Sequence, residues 1–387
     1  MYYFYLIIIF FVILYLIYKK LINNFWVIQP VYHYWDICYW FYNKGIIQHK
    51  LPEVNKYYNS TDIICSTFEK CTEIQKEEYI RLIKNHYNKN VYNPTIKTMN
   101  AHMKGPYPNF CSFYLKENTL KHKDKIFSTK EIIGGMLTRA VIVNIIKNDN
   151  PINVYYADFL CVHKEHRKKN IAAQIIQTHE YYQRHYNDKI AISLFKREGK
   201  VQGIIPVCCY SNTFFDLKEW KIKPIFSQEK KIVKADLQNI YYIYDKIVKT
   251  KLFDILIYNS LETIIELIKE NVYILYVVMK KEEIEAVYCF QRYENYIHEK
   301  EIITCNSSIL FSLSTEEFID YFKKIMLLIC KENDNIQFLN IENLSFNSIL
   351  TNHLLTLHKP FTQSINAYFF YNYAYNIFIN EKVFIFI

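Results

Sequence analysis

The sequence predicts an α/β (α+β) protein: two tandem units of strands and helices with mixed sheets, preceded by an N-terminal transmembrane helix. Three observations carry that prediction. Short apolar runs rich in β-branched and aromatic residues alternate with segments whose apolar residues recur every three or four positions. The order hairpin, helix, strand occurs over residues 134–195 and again over 272–342, as a repeat of element order and not of sequence. Residues 1–18, MYYFYLIIIFFVILYLIY, carry no charge and are followed at once by Lys19 and Lys20.

Those 18 residues make ~27 Å of helix at ~1.5 Å per residue, enough for a thin bilayer, with tyrosines at both edges. The positive flank orients the rest of the chain toward the cytoplasm. A signal peptide needs a basic start and small residues at its end, and neither is present; a buried N-terminal helix is the alternative. GGMLTRAVIVNII at 134–146 and VYYADFLCV at 154–162 read as strands of a hairpin joined by KNDN at 147–150. Ile171, Ala172, Ile175, Ile176, His179 and Tyr182 then mark one face of a helix ending near Tyr186, and AISLF at 191–195 is the next strand. In the second unit VYILYVVM at 272–279 and AVYCFQRY at 286–293 flank a KKEE turn. Ser314 and Glu317 form a capping box before FIDYFKKIMLLIC, and IQFLNIE at 336–342 follows. NAYFFYNY at 366–373 and EKVFIFI at 381–387 read as final strands. The expected division is an anchor over 1–20, a first domain over 21–220 and a second over 221–387.

Of the 387 residues 51% are hydrophobic, which supports a sizeable core and excludes a disordered chain. The formal net charge of +9 suits nucleic acid, anionic lipid or a phosphorylated small molecule. No array of basic and stacking aromatic residues supports nucleic acid. The ten cysteines include no CxxC pair, and no HExxH occurs, so no metal site is expected and the cysteines read as reduced core side chains. The six glycines include neither GxGxxG nor GxxxxGK, which removes Rossmann and P-loop nucleotide binding.

The most informative stretch is FLCVHKEHRKKNIAA at 159–173, an apolar strand that empties into a basic loop and then a helix. Such a junction aims backbone N–H groups and the positive end of a helix dipole at one point, with Lys164, Arg167, Lys168 and Lys169 beside it. The charge run taken alone reads first as a solvated basic turn.

This text closely resembles the FLCVHKxxRxKxxAP signature of the glycylpeptide N-tetradecanoyltransferases, the N-myristoyltransferases. FWVIQPV at 25–31 is similar to the family's FWxTQPV, RLIKNHYN at 81–88 to its LLxxHYV segment, and IGGMLTRAVIV to its VGFISAIP strand. NIQFLNIENLSFN and YFFYNY resemble segments near the family's C-terminal end. The resemblance spans residues 25–387. It implies tandem GNAT-like domains, with myristoyl-CoA as co-substrate, no prosthetic group, N-terminal glycine peptides as acceptors, and a monomer. The backbone N–H groups of Phe159 and Leu160 would form the oxyanion hole, and the C-terminal carboxylate of Ile387 would be the base. Phe25, Trp26, Gln29, Cys161, Val162, Arg167, Lys168, Lys169, Asn170, Ile171 and Ala172 would hold the CoA, and His86, Tyr87, Ser193 and Tyr210 the peptide.

The departures lie on the peptide side. NKN at 88–90 replaces the family's acidic run, TQS at 362–364 its GDG, and Asp158 the Asn before its FLCV. Asp158 either binds the substrate ammonium, acts as a second base, or accepts from the loop amides. An acyltransferase with another acyl chain or amine acceptor, and an inactive acyl-CoA- or peptide-binding adaptor, are the competing readings.

Overall fold

The predicted hairpin is the centre of the molecule. In the computed structural model, which describes residues 2–22, 25–41, 44–87, 92–122, 125–148, 150–199, 203–220 and 230–387, the long strand Lys125–Ile145 pairs antiparallel with Ile152–Val162. The NKN segment at 88–90 lies outside the described residues, as does the expected start of the second domain at 221.

Strand Ile152–Val162 is followed by helix Ile171–Tyr186 and then by the parallel strand Ser193–Glu198, a strand–helix–strand crossover. The helix ends where its period predicts, and Ile171 and Ile175 bury against Ile133, Met136 and Val162. On the far side of the first strand, Phe110–His122 pairs antiparallel with Lys125–Ile145 and carries Ile63–Thr67 at its other edge.

Among the described residues one 14-stranded mixed sheet runs through both expected domains. Thr362–Tyr371 inserts between Ser193–Glu198 and Cys208–Asp216, and Cys208–Asp216 pairs in turn with Ile336–Glu342. Beyond these lie Lys300–Leu310, Glu283–Ile297, Tyr273–Lys280 and Lys231–Lys234. The last strand, Val383–Phe386, runs parallel to Ile255–Tyr258, which pairs with the end of Lys125–Ile145. The chain's end is thus carried back to the hairpin at the centre. Strand Lys300–Leu310 went unrecognised because KEIITCNSSIL has a polar middle, yet Ser307 and Ser308 are fully buried.

Helix Thr315–Glu332 starts at Ser314 with the predicted capping box, Ser314 and Glu317 each accepting from the other's backbone N–H. Its Phe318, Phe322, Ile325 and Ile329 pack on Tyr288, Phe290 and Ile303. Burying each such side chain contributes about 1.5–3 kcal/mol, so this face fixes the outer half of the sheet.

The N-terminal segment corrects an expectation. Residues Tyr2–Ile22 form a helix, but among the described residues no helix is long and apolar enough to cross a membrane. Tyr2, Tyr3 and Tyr5 at one end and Tyr15 and Tyr18 at the other leave only Leu6–Leu14 free of polar groups. That is about 13 Å of helix, against a hydrocarbon core of about 30 Å.

Candidate active site

The site begins with a miscount in the central hairpin. Gly135 pairs with Cys161 and Leu137 with Asp158, so Phe159 and Leu160 together oppose Met136 alone. Two residues against one is a β-bulge, which bends the strand and turns its amides out of the ladder. Phe159 takes φ 56°, a left-handed conformation that costs a side-chain-bearing residue about 1–3 kcal/mol and must be held by its surroundings. Two contacts hold it: the Tyr79 hydroxyl donates to the Phe159 carbonyl, and the Phe159 N–H donates to Asp158 Oδ1 at 2.9 Å. Tyr79 reaches that carbonyl because Gly135 carries no side chain; a Cβ there would sit 2.6 Å from the Tyr79 ring.

The bulge opens on a cavity of about 580 Å³. Of the residues singled out from sequence, Asp158, Phe159, Leu160, Ile387, Trp26, Tyr87 and Ser193 line it. Ile387 is 3% exposed and ends a strand whose last pairs are Ile385 with Ile257 and Phe386 with Tyr258, so the terminal residue is delivered to the cavity wall. Trp26 stacks on Phe195 with ring centroids 5.3 Å apart, and Phe25 packs edge-on to Trp26 and Tyr57.

Other predicted residues take different places. Gln29 is buried, donating to Gln177 and accepting from the Tyr371 hydroxyl, which ties the FWVIQPV segment to helix Ile171–Tyr186. His86 lies against the basic loop and not in the cavity wall: its ring is 3.8 Å from that of His163, and its carbonyl accepts from the Arg167 guanidinium. Arg167 Nε also donates to the Val162 carbonyl at 3.2 Å, so this cation clamps the loop. Lys168 and Asn170 adopt φ 64° and 60°, and Lys168, Lys169 and Asn170 are exposed at the start of the helix. Ile171 and Val162 are buried, Ala172 is half-buried, and Cys161 and Tyr210 are buried in apolar clusters.

Several polar groups in the wall had not been singled out. Arg139, 2% exposed, sets Nε 3.8 Å from Asp158 Oδ2 and donates from Nη1 to Asn259 Oδ1 at 2.5 Å. Burial pushes the Asp158 carboxyl above the usual carboxylate range, with Arg139 opposing that rise. His102, at the end of helix Ile96–His102, is buried, and burial and then Arg139 hold it well below the ordinary histidine value. Its Nδ1 has no hydrogen-bond partner. Burial raises Glu180 to about 7, against the pull of Arg184. The signal for Arg139 was present as a lone charge inside GGMLTRAVIVNII. Glu342 and Lys196, paired at 2.7 Å in the same wall, lie on strands that two others separate in the sheet, so no local text announces their meeting. Among the described residues no cluster of His, Cys, Asp or Glu is placed to hold a metal ion.

This mixed α/β fold is shared with solved N-myristoyltransferases. The chain superposes on a Saccharomyces cerevisiae N-myristoyltransferase with bound myristoyl-CoA at a TM-score of 0.68 and 15% identity, over 93% of this chain and 94% of that one. Two further structures of the yeast enzyme, one with myristoyl-CoA and one with myristoyl-CoA and inhibitors, give TM-scores of 0.67 and 0.66 at 14% and 16% identity. They cover 93% and 94% of this chain and 91% and 93% of those. No family model and no curated protein sequence matches the chain.

Proposed function

We propose that this protein is an acyltransferase that moves the tetradecanoyl group of myristoyl-CoA to the amine of an N-terminal glycine. The observation that carries the reading is the meeting of the Phe159–Leu160 bulge and the terminal residue Ile387 in one cavity wall. A bulge amide stabilises the oxyanion formed when the amine attacks the thioester carbonyl, and the Ile387 carboxylate removes the proton from the ammonium. A glycine amine has a pKa near ~8, so a modest base suffices. The Phe159 N–H, bonded to Asp158 Oδ1 in the free protein, turns to the substrate oxygen on binding. Expulsion of the CoA thiolate then completes the transfer. The basic loop from Lys164 to Asn170 meets the CoA phosphates, and the protein acts as a monomer.

Asp158 is the second candidate base, favoured by its elevated carboxyl and its place beside the bulge. The two are separated by incubating the protein, and a variant extended past Ile387, with labelled myristoyl-CoA and glycine-starting peptides. Loss of transfer on extension supports the terminal carboxylate, and undiminished transfer rules it out. Binding of acyl-CoA without transfer to any peptide supports an adaptor.

We further propose that the protein works at a membrane surface on its cytoplasmic side. The apolar side chains from Leu6 to Leu14 are exposed, and lipid contact would cover them. Flotation with phosphatidylcholine vesicles that is unchanged by deletion of residues 2–22 would refute this.

A further inference from the structure

Across strands Ser193–Glu198, Cys208–Asp216 and Ile336–Glu342, one sheet face carries polar groups into the cavity. Asn212 is the register partner of Glu342, and Asn340, two residues before Glu342, points to the same face. Lys196 Nζ reaches Glu342 Oε1 at 2.7 Å. All four residues line the cavity, and Asn212, Asn340 and Glu342 are each more than nine-tenths buried. Three acceptors there have no donor: Asn212 Oδ1, Asn340 Oδ1 and Glu342 Oε2. Asn340 is oriented by donation from Nδ2 to Thr304 Oγ1 at 3.4 Å, so its carbonyl is the end left over. Buried acceptors are ordinarily satisfied, and three in a row on a cavity wall mark a place where a ligand supplies the donors.

Charge decides which ligand. A carboxylate would face three oxygens. A second cation would find the acceptors but sit beside the Lys196 ammonium, whose charge already meets that of Glu342. An ammonium carries three N–H donors, and Lys196 spends one on Glu342. The unmet groups are therefore acceptors together with spare donors, which a neutral primary carboxamide matches at both ends.

We propose that Asn212, Asn340, Glu342 and Lys196 form a specificity pocket for an asparagine or glutamine side chain of the acceptor peptide. Its NH₂, with two N–H donors, donates to two of the three orphaned oxygens at a time, and its carbonyl accepts from Lys196. This rests on the reading of the cavity as a peptide acceptor site.

The test is calorimetric titration of the full chain with glycine-starting alanine hexapeptides. Each carries Asn, Gln, Asp, Leu or Lys at one of the second to sixth positions, and transfer from labelled myristoyl-CoA to the same peptides is measured in parallel. At one position Asn or Gln should bind at least about tenfold tighter than Leu, Asp and Lys. Asn340→Ala and, separately, Asn212→Ala should abolish that preference, with thermal melts reporting that each variant folds. Equal affinities at every position, a preference for Lys or Asp, or no peptide binding at all overturns the pocket. A carboxamide preference without acyl transfer upholds the pocket and removes the transferase reading; transfer without the preference does the reverse.

Discussion

The Tyr79 hydroxyl donates to the carbonyl of Phe159, eighty residues on, and so fixes a non-glycine residue of the central hairpin that has a left-handed backbone. Tyr79 is fully buried in helix Glu73–His86, and its ring packs on Phe113, so the hydroxyl cannot follow a shifted bulge. Tyr79→Phe keeps the ring and removes only the donor. A lost buried hydrogen bond costs about 1–3 kcal/mol. The expected result is a modest fall in melting temperature with a roughly tenfold or greater fall in kcat for acyl transfer, and little change in KM for myristoyl-CoA. A variant with full kcat would show that the bulge holds itself.

Gly135 is coupled to the same bond from the other strand. A Cβ at this position meets Tyr79 at 2.6 Å and the Ser112 carbonyl at 2.9 Å, and the second neighbour is backbone that cannot swing aside. Gly135→Ala is expected to destabilise the fold by about 1–3 kcal/mol through overpacking. Chemical denaturation should show a lower midpoint and an unchanged slope.

The text of the chain gave the bulge region unusually directly. FLCVHKEHRKKN places strand, loop and helix start within twelve residues, so their order is legible, while the contacts that hold them, Tyr79 on Phe159 and Arg167 on His86, span about eighty residues. Ser314 and Glu317 were legible because a capping box spans only four positions. Glu342 and Asn212 were not, because they meet through a pairing 130 residues apart, and each alone reads as an ordinary strand residue. The N-terminal run reads as a span by its uncharged length and edge tyrosines, yet no described helix is long and apolar enough to cross a membrane.

Arg167 spans the basic loop, donating to the carbonyls of Val162 and His86. Removing it frees two loop segments at once and takes one cation from the basic loop. Arg167→Ala is expected to raise KM for myristoyl-CoA about tenfold or more, with a shallower dependence of KM on salt. Arg167→Lys should recover the salt dependence and not the full affinity, since an ammonium cannot reproduce the two-carbonyl clamp. An unaltered KM in both variants would place the phosphate site elsewhere.

Glu180 gives the molecule a pH signature near neutrality. It lies in the cavity wall, 6% exposed, with Oε1 3.8 Å from Arg184 Nη1, and burial raises its carboxyl from 4.5 to about 7. The folded protein thus binds this proton more tightly than the unfolded chain does. The resulting stabilisation is complete below about pH 4.5 and is lost as the pH climbs through about 7, where the folded form must ionise a buried acid. A shift of that size corresponds to about 3 kcal/mol between the two ends of the window. Wild-type protein should therefore melt at a lower temperature at pH 8 than at pH 6. Glu180→Gln, which keeps the shape and remains neutral, should remove most of that slope. A slope unchanged in Glu180→Gln would assign the proton to another group, and Asp158→Asn, measured beside it, identifies whether the second elevated carboxyl in the same wall is the source.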